Sequence, residues 1–410
     1  MQQPRITRLA NGLTIAVQPM AAVETLAVGL YADCGSRQES AAHNGLAHMV
    51  EHMVFKGAGS RSARSIAEVV EDVGGSINAY TARDHTVFHA RLLPQDLALG
   101  VDLIADLIRA PHFDADELAR EKDVVLQELG EARDTPDDII FDHLQTVAYP
   151  QQAFGRPVLG DEATIDAIDT AALRGWIDTH YRADTLVLAA AGKVDEDLLL
   201  RLAESRFGDL APSARQAAEP ARFAKGTMAD PRRFEQAHIA LAYEGAGHDA
   251  ADHYPLMLYA MAAGGGMSSR LFQELREERG LAYSIYAYHS PYADTGTFGA
   301  YLATGREQAE QAMALTRDVL HKTAKDLQPA ELARAKAQVK AGLLMGLESV
   351  QAQCDHLARQ LMIHGHPVPV ADIVRRIDGC DLEMVRAAAC RMIAGPMAHA
   401  SVGHGMALAA

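Results

Sequence analysis

The sequence predicts an α+β protein made by tandem duplication: two homologous α/β-roll domains, each an antiparallel sheet with helices packed on it. Three observations lead there. A chain of 410 residues is longer than one domain usually needs. Strand-like and amphipathic helical runs follow one another in a similar order in both halves. The tetrapeptide Glu117-Leu118-Ala119-Arg120 returns as Glu331-Leu332-Ala333-Arg334, 214 residues on, inside that order. The expected division is 1–210 for the first domain, 211–225 for a linker rich in small residues and proline, and 226–410 for the second domain.

Taken in order, residues 6–17 alternate around Asn11-Gly12, which predicts a β-hairpin with a two-residue type I′ turn. Residues 25–34 read as a buried strand, and 35–39 as a loop. The next stretch, 45–57, runs Gly-Leu-Ala-His-Met-Val-Glu-His-Met-Val-Phe-Lys-Gly. Helical spacing puts His48 and His52 one turn apart on one face, with Glu51 beside them. Two imidazoles so placed can grip one metal ion, and Glu51 is near enough to take a proton from a water there. The order His-x-x-Glu-His is the inverse of His-Glu-x-x-His. Two histidines four apart can also be plain helix residues. The apolar neighbours Ala47, Met49, Val50, Met53, Val54 and Phe55 argue against that, because polar groups in such a helix are costly to bury without partners.

Residues 65–73 read as a helix stopped by Gly74-Gly75. Residues 76–92 read as one or two strands. His85 and His89 lie there, but four residues along a strand span more than about 10 Å, so they cannot chelate as a helical pair does. His43 reads as a loop or capping residue. Helices are expected over 95–109 and 114–133, the second opening with a capping pattern at Asp114 and Glu117. Glu121 and Glu128 on that helix are two turns apart and point the same way. A catalytic zinc takes three protein ligands, and spacing alone does not choose between these two glutamates. Helices at 138–149, 170–181 and 196–207 and a strand at 185–192 complete the first half. The second half offers strands at 236–243 and across 283–304, and helices at 253–263, at 306–320 and from about Pro329. At the offset of 214, Glu121 becomes Ala335 and Glu128 becomes Gly342. The segment answering to the histidine helix, near 256–260, has neither histidine nor glutamate. The fold therefore does not need the donor residues, which lowers the chance that they are merely structural.

A formal charge of −16 argues against general nucleic-acid binding, which needs a basic face. Cys34, Cys354, Cys380 and Cys390 fit no metal, redox or disulfide pattern. No segment is long and apolar enough to cross a bilayer. The first eight residues lack a signal-type apolar run, so a cytoplasmic location is expected.

The 45–57 stretch, together with Glu-Lys-Asp-Val-Val-Leu-Gln-Glu at 121–128, resembles the family of inverted-motif zinc metallopeptidases that includes pitrilysin, insulin-degrading enzyme and mitochondrial processing peptidase, and within it the bacterial processing-peptidase branch. The likeness covers nearly the whole chain. It implies a zinc-dependent endopeptidase with one Zn²⁺ per chain. His48 and His52 are then ligands, and Glu51 is the general base. The 76-residue spacing from His52 picks Glu128 as third ligand and leaves Glu121 supporting the site from behind. The stretch 74–81 resembles the family's edge strand, so Asn78 and Ala79 would pair with substrate backbone. The stretch 276–283 resembles the second-domain segment whose Arg276 and Tyr283 reach the substrate; a helix-end salt bridge and a core tyrosine are the structural alternatives. Short or unfolded peptides in a chamber of four such domains, hence a homodimer, are further implications. The competing class is a non-catalytic core subunit of the same fold.

Overall fold

The computed structural model describes residues 3–212 and 218–403. Residues 213–217 of the expected linker and Met1-Gln2 of the N-terminal segment lie outside the described residues. Thirteen strands occur among the described residues: β1 (Arg5–Arg8), β2 (Thr14–Pro19), β3 (Leu26–Ala32), β4 (Gly57–Ala58), β5 (Arg61–Ser62), β6 (Ser76–Thr81), β7 (Thr86–Leu92), β8 (Leu186–Gly192), β9 (Gly226–Asp230), β10 (Ala237–Gly245), β11 (Ala282–Pro291), β12 (Gly296–Thr304) and β13 (Met397–Val402). One sheet has the order β1-β2-β8-β3-β7-β6, and a second has β11-β12-β10-β13-β9. Read from β6 and from β11, the two orders match strand for strand, and only β1 has no counterpart. Neither sheet is antiparallel throughout, contrary to expectation: each is mixed at the matching place, where β2 runs parallel to β8 and β9 runs parallel to β13, strands far apart in the chain and joined by crossovers rather than hairpins. The fold is therefore α+β and duplicated.

The chain forms two compact units that do not follow the sequence halves. Among the described residues, the first comprises 3–129, 157–212, 218–219 and 346–367; the second comprises 130–156, 220–345 and 368–403. In the first unit, Leu26, Val28 and Leu30 of β3 join a core with the histidine helix Leu46–Val54, the helix Leu97–Arg109 and the helix Ala115–Asp134. The opposite face of β3, with Ala27 and Tyr31, packs against Cys354, Leu357, Ala358 and Leu361 of the helix Val350–His364. Both faces are thus covered, which is why residues 26–32 read as an unbroken apolar run. In the second unit, Ile239 and Leu241 of β10 face one core, while Ala240 and Ala242 face Ile139, Ile140 and Leu144 of the helix Pro136–Ala148. Each unit therefore takes one covering helix from the other half of the sequence.

Three further expectations need revision. No two-residue turn forms at Asn11-Gly12: β1 and β2 stop pairing at Arg8 and Thr14, and a longer loop closes with Gly12 N–H donating to Leu9 O. Asn11 is drawn off to donate to the carbonyls of Phe207 and Leu210, at 2.7 and 3.2 Å. His85 lies in the turn just before β7 rather than in a strand. Of the capping pattern, Asp114 does accept from the N–H groups of Asp116 and Glu117, but the Glu117 carboxylate pairs with Arg120. The helices Val350–His364, Val370–Gly379 and Leu382–Ile393, with β9 and β13, were not foreseen.

Candidate metal centre

The histidine helix buries Leu46, Ala47, Met49, Val50, Met53 and Val54 and keeps His48, Glu51 and His52 along its remaining stripe. Its start is sharply set. Gly45 has φ +90°, and a Cβ there would come within 2.7 Å of Leu159 O, so only glycine fits. The buried Glu39 carboxylate accepts from Gly45 N–H at 2.9 Å, Ala47 N–H at 2.8 Å and the Asn44 amide at 2.9 Å. A negative group on the first-turn N–H groups satisfies orphan donors and suits the helix dipole.

The helix Ala115–Asp134 supplies the carboxylates. Its two glutamates take opposite nitrogens of one imidazole. Glu121 Oε1 lies 2.8 Å from His52 Nδ1, while Glu128 Oε2 lies 3.5 Å from His52 Nε2 and 3.9 Å from His48 Nε2. The Glu121 carboxylate accepts, so the proton of His52 sits on Nδ1 and Nε2 presents its lone pair. His48 Nε2 is 3.2 Å from His52 Nε2. Among the described residues, His48, His52 and Glu128 are the one group of three such side chains able to share an ion, with their donor atoms within 4.8 Å of one another.

The residues fit a zinc ion. Two imidazole nitrogens with one carboxylate form a donor set that catalytic zinc uses. Two nitrogens facing each other at this distance call for a proton or a cation between them. His48 Nδ1 is buried without a hydrogen-bond partner, so a cation at the cluster would offset the cost of burying that ring. Burial, and then the neighbouring His52, lower the His48 pKa to about 4. The ring is therefore neutral near pH 7, the form that binds metal. Burial pushes the Glu121 carboxyl up, but hydrogen bonds from Lys56 and His52 outweigh it and hold the pKa below the usual value. Lys56 Nζ is 2.6 Å from Glu121 Oε2. Burial raises the Glu51 pKa, against the opposing pull of Thr81, whose hydroxyl donates to Glu51 Oε2 at 2.6 Å.

The first unit thus brings together His48, His52, Glu128, Glu121 and Glu51. Asn78 and Ala79 lie on β6, the outermost strand of the sheet, and Asn78 Oδ1 accepts from Ala79 N–H at 2.9 Å. In the second unit, Arg276 and Tyr283 meet each other: the guanidinium stacks 4.3 Å over the tyrosine ring and donates to Tyr283 O at 2.9 Å. Tyr283 is 73% exposed, which removes the core-tyrosine alternative. Arg276 lies 3.9 Å from Glu277, so the helix-end salt bridge is at most a loose contact. Sequence reasoning missed Glu39, Lys56 and Thr81. Lys56, four residues after His52, shared the helical spacing that could have flagged it; Glu39 and Thr81 carried no such signal.

A duplicated α+β shell with a His–His–Glu donor cluster in its first copy defines the inverted-motif zinc peptidase class. The chain belongs to peptidase family M16: residues 14–162 match the insulinase (peptidase family M16) domain, and residues 167–339 match the peptidase M16 inactive domain. A zinc protease of Rickettsia felis is 34% identical over 373 residues, covering 91% of this chain and 90% of its own. The mitochondrial-processing peptidase subunit beta of Blastocladiella emersonii is 34% identical over 399 residues, covering 95% and 86%. The fold also matches a crystal structure of a peptidase M16 inactive domain from Pseudomonas fluorescens, with a TM-score of 0.89 over 99% of both chains at 23% identity. Among the described residues, no helix is long and apolar enough to cross a membrane.

Proposed function

We propose that the chain is a zinc-dependent endopeptidase acting on short or unfolded peptides. The observation that carries this is the convergence of His48 Nε2, His52 Nε2 and Glu128 Oε2, with Glu51 on the same helix stripe. His48, His52 and Glu128 would hold one Zn²⁺. When bound, zinc supplies Lewis acidity that brings the pKa of water toward about 7 and polarises a carbonyl oxygen. Glu51 takes a proton from the attacking water as the water oxygen bonds to the scissile carbonyl carbon. As the carbon–nitrogen bond breaks, Glu51 passes that proton to the departing amine. One water and one peptide bond are thereby converted into a carboxyl and an amine.

Glu121 fixes the tautomer and orientation of His52, a role that tunes ligand basicity. Asn78 and Ala79, on an unpaired sheet edge, would align substrate backbone. The exposed Tyr283 and the half-buried Arg276 stacked on it are assigned to substrate contact. The Blastocladiella relative is named as a subunit, which suits a requirement for a partner chain; we take that partner to be a second copy. The complete donor set speaks against a purely scaffolding role. Glu51→Gln is expected to retain zinc and lose cleavage of an unstructured peptide by at least about 10²-fold. Parental turnover by that variant would remove Glu51 as the base.

A further inference from the structure

The end of strand β6 touches the residue to which the proposed reaction gives the proton transfer. Thr81 Oγ1 donates to Glu51 Oε2 at 2.6 Å, and a backbone hydrogen bond from Thr81 reaches the same side chain. The contact joins residues 30 positions apart, on two different elements.

Both elements are held by one loop. Thr81 pairs with Thr86, and the turn beyond it closes with Ala82 N–H donating to His85 O at 2.8 Å. The carbonyls of Ala82 and Arg83 accept from Ser36 N–H and Arg37 N–H, at 3.1 and 3.0 Å. A Cβ on Gly35 would fall 2.2 Å from Ala82 O, so the loop can lie this close only as glycine. Four residues on, Glu39 of that loop holds the first turn of the histidine helix. The strand end that carries Thr81 and the helix that carries Glu51 are therefore braced by the same short segment.

We propose that Thr81 is a positioning residue for the hydrolytic step: its hydroxyl takes up Oε2 of Glu51 and leaves Oε1 to receive the proton from water. The inference rests on the peptidase reading of the site. A carboxylate on a long side chain loses its productive orientation easily, and a displacement of about 1 Å can cost 10²-fold in rate. Because β6 is the outer strand, a peptide laid along it would sit on the element that also steadies the base.

The test compares Thr81→Val, Thr81→Ala and Thr81→Ser with the parent and with Glu51→Gln, using zinc-loaded protein and a fluorogenic unstructured peptide. Thr81→Val is expected to lower kcat by roughly 10–100-fold with KM and zinc content near parental values. Thr81→Ser, which keeps the hydroxyl, is expected to stay within about threefold of the parent. Thr81→Ala replaces Val if the bulkier side chain disturbs folding, as read by thermal unfolding. A second readout needs no turnover: crystal structures of the metal-free Val or Ala variant should show Glu51 moved or in several rotamers. Parental kcat in Thr81→Val and Thr81→Ala, a Ser variant as slow as Val, or an unmoved Glu51 would each overturn the assignment. Failure of the peptidase reading itself would show differently, as parental turnover in Glu51→Gln or no turnover in the parent.

Discussion

Glu121 divides its oxygens between Lys56 and His52, so a cation on one side fixes the carboxylate that orients an imidazole on the other. Such outer contacts typically govern metal affinity by 10–100-fold. Lys56→Met should therefore weaken zinc binding by about tenfold in competition with a chelator while the fold persists; unchanged affinity would show that Glu121 needs no help. At this scale the sequence was most informative where the partners are close in the chain. His48, Glu51 and His52 share one helix, and the spacing of 3.6 residues per turn placed them. Periodicity failed between Glu121 and Glu128, because both project from the same side. What separates them is tertiary: Glu121 is buried against Lys56 and takes Nδ1, whereas Glu128 is half-exposed and approaches Nε2. Thr81 was invisible because its partner lies on another element.

At the scale of elements, the histidine helix depends on a carboxylate outside it. Glu39 accepts from two first-turn N–H groups and from Asn44, whose amide also donates to Pro157 O. Glu39→Ala leaves buried donors unsatisfied, and Glu39→Gln turns an NH₂ group against one of them. Either variant should lose about 1–3 kcal/mol in urea denaturation; an unshifted midpoint would refute the capping role. The apolar patterns located most helices and the central strands to within a few residues. The end of the second helix at Gly74-Gly75 was legible for a local reason: Gly74 takes φ +69°, and Gly75 N–H donates to Val70 O. The Asn11-Gly12 turn misled because Asn11 bonds to carbonyls nearly two hundred residues away, which no local propensity records.

For the whole molecule, the duplication visible in Glu117–Arg120 and Glu331–Arg334 reappears as two sheets of matching strand order. The exchange of covering helices was not legible, because amphipathicity tells a helix to bury a face without saying on which sheet. The sheet face bearing Tyr31, Val87 and Ala189 is covered by Val350–His364, and Tyr31 donates its hydroxyl to Asp355. A fragment of residues 1–210 would expose that apolar face and should lack a cooperative unfolding transition; a cooperative, monomeric fragment would contradict the assignment of that helix. The central claim is that one divalent ion sits among two imidazoles of the first helix and a carboxylate of a later one. Anomalous diffraction at the zinc edge on protein soaked with stoichiometric zinc tests it most directly. One peak per chain, bonded to His48, His52 and Glu128 and absent from His52→Ala, is the expected result. Zinc located elsewhere, or a peak undiminished in His52→Ala, would contradict it.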